Sequence, residues 1–146
     1  RDNNIFTIRG NQKLYQKNEK YFKSLLRYIG KKLSINRPVE ISLIEDEENS
    51  QEPLGRTGGY INEENKIHIF TNKRHIKDIL RSLSHEMVHH KQNLRGEFKK
   101  SKPAGKDYTQ KNPHLRKMEE EAYLQGNMLF RDWEDNYKYR RNDNEK

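Results

Sequence analysis

Helix-period apolar stripes set around short alternating segments predict a small α+β domain. Its expected order is N-terminal helix, small mixed sheet, second helix, loop and C-terminal helix. Three observations carry this. Three stretches place apolar residues at three- and four-residue steps. The segments between the first two stretches alternate with period two. No repeat or linker-like run divides the 146 residues, so residues 1–146 read as one domain with a core over about 14–133.

The first stripe is Leu14, Tyr15, Phe22, Leu25, Leu26, Ile29 and Leu33, with lysines on the other face and Pro38 barring continuation. Val39-Glu40-Ile41-Ser42-Leu43 alternates as a strand does. The acidic run Glu45 to Ser50 reads as a solvated loop, because the ordered ligands and turn glycine of an EF-hand are missing. Gly55 to Gly59 reads as a turn. Beyond it Tyr60-Ile61 and Lys66-Ile67-His68-Ile69-Phe70 suggest a hairpin. No Gly-Lys-Ser/Thr follows those glycines, so they do not form a phosphate-binding loop. Ile76, Ile79, Leu80, Leu83, Met87 and Val88 form the second helix stripe, ending near Gly96. Residues 97–112 read as a loop. The third helix runs from Pro113 or His114 to Trp133, and the charged last dozen residues are expected to fray.

Leu, Ile, Val and Phe number 30 of 146, close to the composition of disordered chains, but 14 aromatic residues make a small core feasible. No apolar run approaches the roughly 18 residues a membrane span needs, and Arg1-Asp2-Asn3-Asn4 has no leader pattern. The lack of cysteine excludes a disulfide scaffold, a thiol nucleophile and a thiolate zinc site, and fits a cytoplasmic protein. The net charge of +8 is uneven: residues 1–40 and 91–117 carry +7 each, while 41–90 and 118–146 carry −3 each. Such basic segments can follow a nucleic-acid backbone or an acidic protein surface, or simply keep a small domain soluble.

The chemistry concentrates on the second helix, where His85-Glu86-Met87-Val88-His89 matches H-E-x-x-H. Histidines four apart share a helix face, so both imidazoles can reach one metal ion. Glu86, one position along, can take a proton from a water polarised by that metal without occupying it. A catalytic zinc needs a third protein ligand and an open position. His90 is turned about 100° from His89 and is a poor third ligand; His68, His75 and His114 are the other histidines. Glu119-Glu120-Glu121 on the third helix is the better source, since a dication would relieve the mutual repulsion of three adjacent acids.

His85-Glu86-x-x-His89 followed by Glu119-x-x-Ala122 on a separate helix resembles the gluzincin metallopeptidases, and the element order resembles the minimal zincin core of SprT-like and small phage-encoded peptidases. That resemblance spans roughly residues 14–133. It implies a zinc-dependent endopeptidase with a protein or peptide substrate, in the cytoplasm of the host cell if phage-encoded. His85, His89 and Glu119 would be ligands, with Glu120 or Glu121 replacing Glu119 if the helix is rotated, and Glu86 would be the base. The tract from Gly59 to Ile69 is similar to the edge strand that takes extended peptide by strand addition. Larger members carry Asp four residues after the ligand Glu to support a ligand His; here Tyr123 stands there. Tyr108, His114 and Tyr123 are the candidates for stabilising the oxyanion. DNA bound through the basic segments is a further expectation of the SprT-like resemblance. The competing expectation is a binding module for nucleic acid or an acidic partner, its metal absent or structural, with His90 or a second Glu closing the shell.

Overall fold

Parallel neighbours need a crossover, and the first part of the chain supplies one. A computed structural model of the chain describes residues 6–45, 57–98 and 113–145, and beyond Tyr137 the backbone alone. Strand β1 (Phe6–Gly10) leads through helices α1 (Gln12–Lys17) and α2 (Glu19–Lys32) to β2 (Val39–Ile44), which lies parallel to it with Ile8 opposite Ile41. The sequence pattern predicts one helix here and no strand before it. The helix is divided because Asn18 turns its amide back onto Leu14 O at 3.1 Å, competing with the helical ladder. β1 escapes the pattern because it has only two inward apolar residues, Phe6 and Ile8.

The hairpin of β3 (Gly58–Ile61) and β4 (Lys66–Phe70) forms as expected. β4 pairs parallel to β2, giving the mixed order β1-β2-β4-β3 with β3 at one edge. Val39, Ile41, Leu43, Ile67 and Ile69 point to one side and are buried with Phe22, Leu25 and Ile29 of α2 and with Ile79, Leu83 and Met87 of α3 (Ile76–Leu94). On the other side Glu40 reaches Arg9 at 3.4 Å and Lys66 at 3.5 Å, the polar half of the alternation.

α3 is capped at its start by His75, whose Nδ1 accepts from the Lys77 amide at 3.0 Å. It ends at Gly96, whose φ of 84° allows the Glu97 amide to close back on Gln92 O at 3.1 Å. α4 (Pro113–Glu145) crosses α3 at Gly126. Ser84 Oγ donates to Gly126 O at 2.7 Å, and a Cβ at Gly126 would lie 2.8 Å from His85 Cα, so only glycine permits this approach. Farther along, Phe130 and Trp133 are buried, and Trp133 Nε1 donates to Ser24 Oγ at 2.9 Å. The helix extends beyond the Trp133 boundary that the sequence pattern suggests. Tyr137 stacks between Trp133 and Tyr21, with ring centroids 5.3 and 5.5 Å away, and the helical backbone continues to Glu145.

The fold is therefore α+β: four helices and a four-stranded mixed sheet among the described residues. No described helix is long and apolar enough to cross a membrane. The acidic tract 46–50, the glycine turn up to Arg56 and residues 99–112, with Tyr108 and five lysines, lie outside the described residues.

Candidate metal centre

α3 is buried along most of its length, yet it carries two polar strips. At 100° per residue, His85, His89 and Gln92 share one strip, while Glu86, His90 and Asn93 share its neighbour. The first strip faces α4. His85 Nε2 lies 3.4 Å from Glu119 Oε1, and His89 Nε2 lies 3.2 Å from Glu119 Oε2. One ligand atom from each of these three residues falls within 4.8 Å of the others. Ligand atoms around a tetrahedral zinc stand about 3.3 Å apart at ordinary bond lengths, so the group is close to a three-ligand set. Glu119 is half-exposed, leaving one side of the cluster open to solvent.

Gln92, fully buried, accounts for the orientation of His89. Its Nε2 donates to Met118 O at 3.0 Å and to Glu121 Oε1 at 2.7 Å, so its Oε1 faces His89 Nδ1 at 2.8 Å as an acceptor. The hydrogen of a neutral His89 therefore resides on Nδ1, and Nε2 turns a lone pair toward a carboxylate oxygen. Two lone pairs 3.2 Å apart require a cation between them, either a proton or a metal ion. Burial works to lower the His89 pKa, but Glu119 and Glu86 outweigh it and raise the value, so a proton readily fills that role in the metal-free cluster. The hydrogen bonds from His85 and His89 hold the Glu119 carboxyl well below the usual carboxylate range.

Glu86 is buried, and its Oε1 has no hydrogen-bond partner among the described residues. Burial raises its pKa, against the attraction of His89 and His85 and with the repulsion of Glu119. A Cβ on Gly58 would stand 2.7 Å from His68 O and 3.5 Å from Glu86 Oε2, so at Gly58 the strand brings its backbone, and no side chain, beside this carboxylate. An ionisable group buried without a partner is costly and points to chemistry rather than stability.

The second strip otherwise faces β3. His90 is fully buried: its Nε2 meets Arg37 O at 3.2 Å and its Nδ1 meets Tyr60 Oη at 2.7 Å. Both ring nitrogens are committed there, so His90 does not close a shell with His85 and His89. Of the other acids, Glu121 is turned to Gln92 and to Arg95 at 2.9 Å, while Glu120 is exposed. Tyr123 is 63% exposed and no described hydrogen bond joins it to the cluster. His114 Nε2 lies 2.9 Å from Glu97 O, at the entry of α4 rather than beside the His pair. Tyr108 lies outside the described residues.

Gln92 is the site residue that motif reading misses. It takes the supporting position that Tyr123 leaves vacant, and it comes from the ligand helix itself. The signal was its spacing: Val88 and Gln92 are four apart, so Gln92 continues a buried stripe and needs partners. The chain matches no family model, no curated protein and no solved structure.

Proposed function

We propose that this protein is a zinc-dependent endopeptidase of gluzincin type, with His85, His89 and Glu119 as ligands and Glu86 as general base. The observation that carries the reading is the lone-pair conflict between His89 Nε2 and Glu119, set beside a buried carboxylate with an unpartnered oxygen. Two imidazole nitrogens and a carboxylate suit zinc, leaving room for a fourth position. When bound, zinc would polarise a peptide carbonyl and lower the pKa of a water. Glu86 would take a proton from the attacking water and pass it to the leaving amine; burial, which raises its pKa, makes it the stronger base for the first of these steps. The open edge of β3, beside Glu86, offers backbone groups to an extended peptide.

The test compares wild type with Glu86→Gln, each assayed for zinc per chain and for cleavage of an unfolded protein. One zinc in both and cleavage by wild type alone is the expected outcome. Cleavage by both would remove Glu86 from the mechanism, and zinc in neither would end the reading.

A second reading rests on a different observation. Lys20, Lys23, Arg27 and Lys31 are exposed and line one side of α2, a face suited to nucleic acid or an acidic partner. Binding to duplex DNA that weakens steeply with salt, in chains without zinc, would favour it.

A further inference from the structure

The strip of α3 facing β3 contains two side chains, His90 and Asn93, with tightly linked partners outside the metal cluster. Asn93 Nδ2 lies 3.0 Å from Tyr60 Oη, 2.9 Å from Asn62 O and 2.9 Å from Asn65 Oδ1. The Tyr60 hydroxyl meets His90 Nδ1 at 2.7 Å and lies 3.3 Å from Asn65 Oδ1. Arg37 O can only accept, so Nε2 carries the hydrogen of a neutral His90, Nδ1 accepts, and the Tyr60 hydroxyl donates. Burial pushes the Tyr60 pKa up to about 12, so the hydroxyl keeps its hydrogen at ordinary pH.

The backbone of the same tyrosine faces elsewhere. Thr57 O accepts from the Phe70 amide at 3.2 Å, and Gly59 and Ile61 stand opposite His68 and Lys66. In an antiparallel ladder, alternate residues turn their peptide groups to the partner strand and to the outside. Gly58 and Tyr60 therefore present their N–H and C=O groups along the edge that no described strand covers. Glu86 is beside Gly58, while His90 and Asn93 hold Tyr60 two residues farther along that edge.

We infer that Tyr60, His90 and Asn93 form an anchor that sets the height of the β3 edge over α3, making Tyr60 a positioning residue for an extended peptide that docks there. The inference rests on the peptidase reading for its occupant. Its physical content is a division of labour: the ligand strip holds the metal and this anchor holds the strand that aligns the peptide. A shift of β3 of a few tenths of an ångström would misplace every backbone hydrogen bond to a docked strand while leaving the ligand atoms where they are.

The test uses zinc-loaded wild type, Tyr60→Phe and Asn93→Ala with two probes. Acetohydroxamate reaches only the metal, whereas a hexapeptide hydroxamate reaches the metal and lies along β3. Tyr60→Phe keeps the ring and is expected to weaken the peptide probe about tenfold, the size of one well-made hydrogen bond or a small shift of several. Acetohydroxamate affinity and zinc content should stay unchanged, and Asn93→Ala should follow the same pattern. Equal weakening of both probes would overturn the inference by showing that the anchor serves the metal centre. Unchanged binding of both would overturn it too. Wild type that binds zinc and acetohydroxamate, but gains nothing from the peptide extension, would remove the docking edge and leave the metal centre standing.

Failure of wild type to take up zinc would instead sink the peptidase reading. The anchor is then judged by hydrogen exchange at the Gly59 and Ile61 amides, which should quicken about tenfold in Tyr60→Phe. Unchanged exchange would overturn the anchor itself.

Discussion

The two polar strips of α3 occupy the same turns of one helix and solve the problem of burial differently. On the side facing α4, His85, His89 and Gln92 end on Glu119, Glu121 and Met118 O, so ionised groups and one buried amide link the helices. On the side facing β3, His90 and Asn93 end on a phenol, carbonyls and an amide, all neutral. Glu86 belongs to the second strip by position, yet it is the member with an unpartnered oxygen. Satisfied neighbours on both sides make it stand out. Polar residues in this core helix are thus of two kinds, those that join elements and one, Glu86, with an oxygen that no described group satisfies.

Glu86→Gln should have the largest effect. It removes the proton acceptor but keeps the size, so turnover should fall roughly 10²–10⁴-fold while zinc content holds at the wild-type level. A combined assay of zinc and peptide cleavage separates the two quantities. Loss of zinc in this variant would show that Glu86 belongs with the ligands and would erase the contrast just drawn.

Next in size is Gln92→Leu, which removes the acceptor from His89 Nδ1 and takes one donor each from Met118 O and Glu121 Oε1, the latter keeping Arg95. Zinc affinity, measured by competition with a chromogenic chelator, should drop about 10–100-fold. Exchange at the β3 amides should not move, since that strand is held by the other strip.

Gly126→Ala forces a methyl group into the 2.8 Å approach to His85 Cα. The expected cost is about 1–3 kcal/mol of unfolding free energy, read by denaturant titration. Zinc should restore part of it, because ligand binding to the folded state draws α4 back toward α3. A variant as stable as wild type would mean that the helix crossing is slack.

The smallest effect is in pH. Zinc requires a neutral imidazole, and the raised His89 pKa means that protons compete above the usual histidine range. Zinc affinity should therefore begin to fall while pH is still above that range and keep falling as pH drops. Calorimetry in buffers of different ionisation enthalpy should detect proton release on zinc binding. No release at a pH just above the usual histidine range would contradict the charged His89–Glu119 pair.

Much of this centre was legible in the sequence because its parts obey local periodicity. His85 and His89 are one turn apart, and Ala122 marks the inward side of the helix that carries Glu119. The hairpin, α3 and the start of α4 follow for the same reason. The roles of Gln92, His90 and Asn93 were hidden because their partners come from α4, β3 and the segment after α2. A clue was present: Leu83, Met87, His90 and Leu94 continue one apolar line, so His90 occupies a core position. β1 was hidden by its shortness, and the continuation of α4 past Trp133 by charges that outnumber its aromatic contacts at Tyr137.

The last of these features bears on the order in which the molecule can acquire its parts. Glu119 follows His85 by 34 residues, and α4 is tied to α2 by the Trp133–Ser24 bond across 109 residues of chain. During synthesis, a nascent chain that has passed α3 exposes both imidazoles before the helix bearing the carboxylate has emerged. The cluster of His85, His89 and Glu119 comes together only when α4 docks, a late and non-local event. A metal ion held by all three residues would consequently be captured in the same step that closes the tertiary structure.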